Sequence, residues 1–198
     1  MNNDALYAFD PETQTASEKA DLSGIEPDYI TTSPDGTLYF SRSLGNPTTP
    51  GYASLEQVSL YQFVPETNEL IQVILPREWP IYRGLLADRA GRLWLGSIGF
   101  RDTDDVWHLM YPNSEQFFEY PLTISRTFPT LLFESSDGKL WYTNWWDGGI
   151  WYNGTAWYDP QTGEGCMFTN ATSSLLEDTE QQLWLVANGN LYKRKLNP

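Results

Sequence analysis

No window of the chain carries the 3.6-residue apolar period of an amphipathic helix; instead, β-forming residues recur in short runs cut by turn residues. Four segments repeat one pattern: Ser33-Pro-Asp-Gly-Thr-Leu-Tyr-Phe40, Asp88-Arg-Ala-Gly-Arg-Leu-Trp-Leu95, Ser135-Ser-Asp-Gly-Lys-Leu-Trp-Tyr142 and Asp178-Thr-Glu-Gln-Gln-Leu-Trp-Leu185. Each follows an apolar run (Tyr29-Ile30, Gly84-Leu85-Leu86, Leu131-Leu132-Phe133, Ser174-Leu175-Leu176). Glycine tolerates positive φ in a tight turn, so the Asp-Gly position predicts a hairpin and Leu-Trp or Leu-Tyr starts the returning strand. A second hairpin follows in each unit. Leu60–Val64 turns through Pro65–Asn68 into Glu69–Val73, Val106–Met110 turns through Pro112–Ser114 into Gln116–Tyr120, and Gly149–Tyr152 turns through Asn153-Gly154 into Ala156–Tyr158.

Two hairpins per unit make a four-stranded antiparallel blade. The anchoring aromatics, Tyr39, Trp94, Trp141 and Trp184, are spaced by 55, 47 and 43 residues, the period of a propeller blade rather than of a helical repeat. The expected fold is all-β, a β-propeller with about four blade repeats in this chain. The expected division is a partial blade over 1–23, blades over 24–77, 78–124 and 125–169, and a partial blade over 170–198, all within a single propeller domain or part of one. The chain opens with an outer hairpin, Leu6–Thr13 into Ser17–Leu22, and closes with a third strand, Leu191–Lys195. The partial blades allow either a four-bladed ring or a larger ring completed by a second copy or by further residues. An open blade edge invites pairing, which favours the larger assembly. The tryptophans are expected to pack between blades.

Composition narrows the partners. Aromatic residues make up 15% of the 198, including nine tryptophans, which is the make-up of a chain that folds. A net charge of −14 opposes phosphate backbones and anionic lipid, so nucleic acid is excluded as a partner. The only basic cluster is Lys193-Arg194-Lys195. No stretch of about 18 apolar residues predicts membrane insertion. The first residues lack the basic and apolar regions of a signal peptide. The single cysteine, Cys166, excludes an internal disulfide and a cysteine zinc site. The sequons at Asn153 and Asn170 are short enough to arise by chance.

The pairing of an Asp-Gly-x-Leu-Trp hairpin with a strand such as Gly149-Ile-Trp-Tyr-Asn-Gly-Thr-Ala-Trp-Tyr158 resembles the two-component-regulator propeller repeats. These occur in the sensor regions of bacterial hybrid histidine kinases, and similar blades occur in streptogramin-lyase-like propellers. The resemblance extends over the whole chain, with Tyr39 in place of Trp and Gln181 in place of Gly at its two ends. It implies a ligand-binding or protein-interaction propeller, a sensor module or a fragment of one, facing the periplasm or exterior. Lyases of the second kind rely on a histidine base and a metal near the axis. The one histidine here, His108, falls in an expected third strand, away from the axial face.

Repeat alignment places Asp28, Arg83, Thr130 and Ser173 at the entry to the first strands, and Arg42, Ser97, Asn144 and Asn188 at the exit of the second. These polar positions are expected to ring one end of the axis. With the Trp145-Trp146-Asp147-Gly148-Gly149 loop and Tyr82, they give the expected ligand site: Asp28, Arg42, Tyr82, Arg83, Asn144, Trp145, Trp146 and Asp147. Exposed tryptophans can stack on sugars or cations. The ligand class is a small molecule, a glycan or a protein. Ser43–Ser59 is long enough to be a lid or an interaction loop. No nucleophile elbow, Walker loop, dinucleotide fingerprint or zincin motif is present. Asp102-Thr-Asp-Asp105 lacks the glycine and terminal glutamate of an EF-hand and reads as a solvated acidic loop. Glu134 and Glu177 align with Ala87, so they form no carboxylate ring. No cofactor is implied; a divalent cation is compatible with the polar ring, but no residue pattern calls for one. The competing readings are a metal-assisted lyase or lactonase acting at the axial face, and a self-assembling half-propeller.

Overall fold

The computed structural model describes residues 5–25, 27–42, 59–76, 84–96, 99–109, 130–147, 150–169, 172–187 and 190–196. Every regular element among them is a β-strand, and every strand pairing is antiparallel. The chain packs as two compact units, Met1–Ile81 and Tyr82–Pro198.

In the first unit, β1 (Ala5–Asp10) and β2 (Thr15–Asp21) form a two-stranded sheet. A four-stranded sheet follows in chain order: β3 (Tyr29–Thr32), β4 (Leu38–Arg42), β5 (Ser59–Val64) and β6 (Glu69–Val73). Their shared core is Leu22, Ile25, Phe40 and Phe63, with Leu6, Ala20, Leu38, Tyr61 and Leu70 packed against it. Alternation along β4 and β5 supplies Phe40 and Phe63, and the turn after β2 supplies Leu22 and Ile25.

The second unit contains two four-stranded sheets and one of three strands, each in chain order. They are β7 (Leu85–Ala87), β8 (Leu93–Leu95), β9 (Gly99–Arg101) and β10 (Trp107–Leu109); β11 (Thr130–Glu134), β12 (Leu140–Asp147), β13 (Ile150–Tyr158) and β14 (Gly165–Thr169); then β15 (Thr172–Glu177), β16 (Gln182–Ala187) and β17 (Asn190–Lys195). The tryptophan of each four-stranded sheet reaches the sheet that follows it. Trp94 packs with Leu131, Leu140, Tyr142 and Ala156, and Trp141 with Leu183 and Leu196. Both are almost fully buried, as expected of packing between blades.

One turn geometry joins the first two strands of the three- and four-stranded sheets. In Ser33–Thr37 the Gly36 N–H donates to the Ser33 carbonyl and the Ser33 N–H to the Thr37 carbonyl, both at 2.9 Å. This is a three-residue hairpin loop whose third residue must take positive φ. Gly36, Gly91 and Gly138 do so at 89°, 81° and 81°, and Gln181 takes the same place at 58°. Gly84 is constrained differently: its φ is 90°, and a Cβ there would meet the Leu131 carbonyl oxygen at 2.5 Å. Only glycine lets β7 approach β11 so closely.

Several expectations are corrected. The second hairpin of the β7–β10 sheet is Gly99–Leu109, one strand earlier than the Val106–Tyr120 hairpin expected, and residues 110–129 lie outside those described. Asp102–Val106 is its turn, with the same two backbone bonds as above and Asp105 at φ 64°. His108 consequently sits on the fourth strand, not the third. Asn153-Gly154 is no turn: β13 runs straight through it, and Asp159–Gly163 makes the reversal. Asn-Gly needs partners folding back on either side, but Thr155–Tyr158 are already paired to Leu140–Thr143. The Asp159 carboxylate meanwhile accepts the Gln161 and Thr162 N–H groups and caps the competing turn. Likewise Trp145, Trp146 and Asp147 lie within β12, paired to Tyr152, Trp151 and Ile150, rather than in a loop.

Candidate functional site

The first strand-end pair is described in full. Asp28 immediately precedes β3 and is exposed, and its N–H donates to the Ser41 carbonyl at 2.8 Å. Tyr29 pairs with Ser41, so Asp28 and the half-buried Arg42 stand at the same end of the β3–β4 ladder. Between them the Ser41 hydroxyl is fully buried without a hydrogen-bond partner. In the second unit, Asn144 falls at the irregularity between Thr143 and Trp145 in the β12–β13 ladder, where the register slips and the strand re-aims. The backbone of Asn144–Asp147 therefore extends the strand end by half a hairpin. Thr130 starts β11 and Ser173 lies in β15. Tyr82, Arg83, Ser97, Asn188 and most of the Ser43–Ser59 loop lie outside the described residues.

The opposite ends of the strands hold an arrangement that the sequence reading missed. Each repeat tryptophan donates its indole N–H to the residue six places earlier, which opens the turn. Trp94 Nε1 reaches Asp88 Oδ2 at 2.8 Å, Trp141 Nε1 reaches Ser135 Oγ at 2.9 Å, and Trp184 Nε1 reaches Asp178 Oδ2 at 2.6 Å. Asp88 is buried, and also accepts from the Arg92 N–H at 2.8 Å and from Arg92 Nε at 2.6 Å. The Trp184 indole, together with the Gln182 and Glu180 N–H groups, holds the Asp178 carboxyl below the usual carboxylate range.

A second bond set links neighbouring sheets. Glu134, the last residue of β11, accepts the Arg89 N–H at 2.8 Å, while the Arg89 guanidinium donates to the Ser136 carbonyl at 3.1 Å. One repeat later, Glu177 accepts the Ser136 N–H at 2.6 Å. The glutamates thus clasp the second residue of the preceding sheet's turn. Burial pushes the Glu134 carboxyl above its ordinary value, against the pull of Arg89. The other Glu177 oxygen is buried without a partner, beside an open groove of about 700 Å³ that Arg89, Glu134, Ser136, Glu177 and Thr179 help to line. The signal was present in the sequence, as a glutamate directly before the turn motif in successive repeats. Ala87 at the aligned position breaks the series.

His108 and Asp102 also serve the fold. His108 Nε2 lies 2.6 Å from Asp102 Oδ2, and its ring stacks on Phe100 at 4.7 Å. The bond to His108, then that from the Val106 N–H, lowers the Asp102 carboxyl. The acidic loop of the sequence reading is therefore a capped hairpin turn. Among the described residues no group of three or more His, Cys, Asp or Glu could hold a metal ion. No helix of the described residues is long and apolar enough to cross a membrane.

No family model matches the chain, and no curated protein matches it. Among solved structures it is similar to TolB from Acinetobacter baumannii, with a TM-score of 0.57 and 16% identity, covering 93% of this chain and 46% of that one. It is also similar to a catalytically inactive virginiamycin B lyase from Staphylococcus aureus with quinupristin, with a TM-score of 0.60 and 14% identity, covering 98% and 59%. The chain spans about half the length of these two proteins. At such identities the likeness concerns fold alone: the sheets are blades of β-propeller type.

Proposed function

We propose that this chain is a non-catalytic binding or interaction propeller, a sensor module or a piece of one, of the two-component-regulator repeat type. It takes a small molecule, a glycan or a protein at the strand-end face and works in the periplasm or outside the cell. The observation that carries the reading is where the polar residues stand. The groups with obvious chemistry, Asp88, Asp102, Asp178, Glu134 and His108, are bonded into turns and clasps. The exposed Asp28 and the half-buried Arg42 stand together at one strand end, which puts charges of opposite sign on the face where the expected ligand site lies. The resemblance to sensor repeats points the same way.

The test is a calorimetric screen of glycans and small charged metabolites, followed by Asp28→Ala with Arg42→Ala. An affinity loss of about tenfold or more supports the placement, since one lost charge-assisted contact is worth about 1.5–3 kcal/mol. A ligand whose affinity is unchanged in the double variant binds elsewhere. A stoichiometric divalent cation, with lyase or lactonase activity abolished by chelation, would replace the binding reading with the catalytic one.

A further inference from the structure

We infer that two copies of this chain associate through the outer edge of β6, the two β6 strands pairing antiparallel about a two-fold axis at Gln72. β6 is the fourth and outermost strand of the β3–β6 sheet, and among the described residues no strand pairs with its outer edge. Such an edge presents a row of N–H and C=O groups to any strand that can pair with them. Natural edges are blunted by lysine, proline, a bulge or brevity. β6, Glu69-Leu-Ile-Gln-Val73, has neither lysine nor proline and pairs with β5 without a register shift. The outer strand of the next sheet, β10, is by contrast only three residues long. Nor does charge guard the edge. Leu70–Pro76 is an uncharged run in a chain of net charge −14, and Ile71 and Ile74 are 41% and 86% exposed.

The edge selects a second copy because its sequence is complementary to itself. In an antiparallel pair centred on Gln72, Ile71 stands opposite Val73 and Leu70 opposite Ile74, each pair occurring twice by symmetry. A two-fold axis perpendicular to the sheet keeps faces, and the members of each pair are an even number of residues apart, so both point to the same side. Apolar side chains therefore meet on both faces of the joined sheet, and two glutamine amides meet at the axis. Centring the pair on Ile71 instead would set Glu69 against Val73 and Leu70 against Gln72. With Gln72 at the axis, the nearest charge, Glu69, faces Leu75. The two Glu69 residues then lie about 20 Å apart along the strands, beyond the screening length of about 8 Å at physiological salt. The contact goes beyond the ligand reading above and uses neither Asp28 nor Arg42.

The experiment is sedimentation equilibrium on the full chain, where a concentration-dependent dimer is expected. Gln72→Lys and Gln72→Glu each set like charges against one another at the axis, and each should weaken the dimer about tenfold or more. Mixed in equal amounts, the two variants set opposite charges there and should restore it. Gln72 is exposed, and circular dichroism checks that each variant folds. Gln72→Cys in a Cys166→Ser background should crosslink into a covalent dimer under mild oxidation, and Thr67→Cys, in the preceding turn, should not. A chain that stays monomeric at every concentration overturns the proposal. So does a dimer that neither charge variant weakens, or one that Gln72→Cys fails to crosslink, since it forms through another surface. None of these results depends on whether the strand-end face binds a ligand.

Discussion

An indole nitrogen separates Trp94, Trp141 and Trp184 from other large apolar residues at the same place. Packing alone explains a bulky side chain there, and that much was legible in the sequence. The bond back to the residue six places earlier was not read, although Asp88, Ser135 and Asp178 stand at that constant spacing. Treating tryptophan as apolar bulk hides its one donor. Tyr39 lacks that indole; Ser33 before it bonds within its own turn, to Asp35 and to the Thr37 carbonyl, as Ser135 does to Asp137 and the Lys139 carbonyl. The bond has a consequence in acid. The folded state holds the Asp178 carboxyl below its ordinary value, first through Trp184. Its contribution is therefore complete above the unfolded carboxylate value of about 3.9 and is lost as pH falls through the lower folded value. Removing the indole donor with Trp184→Phe should flatten the stability profile below about pH 4. Urea midpoints followed by circular dichroism between pH 2 and 6 give the comparison. Parallel profiles for the two proteins would deny the indole this role.

Elements were legible wherever a turn carried its own chemistry, and misread where two turn signals competed. The β3–β4 and β5–β6 hairpins fall where Asp-Gly and Pro-Glu-Thr-Asn place them. The three-residue β9 is too short to display a period, so the hairpin it opens was read one strand late. Asn153-Gly154 is a strong local signal overruled by cross-strand pairing and by the Asp159 cap. The shared loop also leaves one copy imperfect. Gln181 occupies a left-handed position at φ 58° that its sister repeats give to glycine. A side chain in that region costs roughly 1–2 kcal/mol, while glycine returns part of the gain through a more flexible unfolded chain. Gln181→Gly should therefore raise stability by about 0.5–1 kcal/mol. Gly138→Ala, at φ 81°, should lower it by a similar amount. Chemical denaturation of both variants measures the pair. A destabilised Gln181→Gly would mean that the side chain contributes more than its backbone strain costs.

At the scale of the molecule, the repeat was legible while the grouping of repeats was not, because grouping depends on small differences between copies. Within the second unit, successive sheets are joined twice by the glutamate clasp, Arg89 to Glu134 and Ser136 to Glu177. At the aligned place one repeat earlier the sequence has Pro34, which carries no amide hydrogen, and Ala87, which carries no carboxylate. That pair of positions holds neither half of the clasp, and the chain divides into its two compact units between them, after Ile81. Units that keep separate cores need not unfold together. Eight of the nine tryptophans lie in residues 82–198 and only Trp79 precedes them, so indole fluorescence reports chiefly on the second unit. Far-ultraviolet dichroism reports on the strands of both. In urea the two probes should give midpoints that do not coincide, separated by roughly 0.5 M for each kcal/mol of difference between the units. Glu134→Ala breaks one clasp and should move the fluorescence transition to lower urea, leaving the other component of the dichroism curve in place. Coincident transitions in the unmodified chain would mean that the two units unfold as one, and that bonds other than the clasp tie the repeats together.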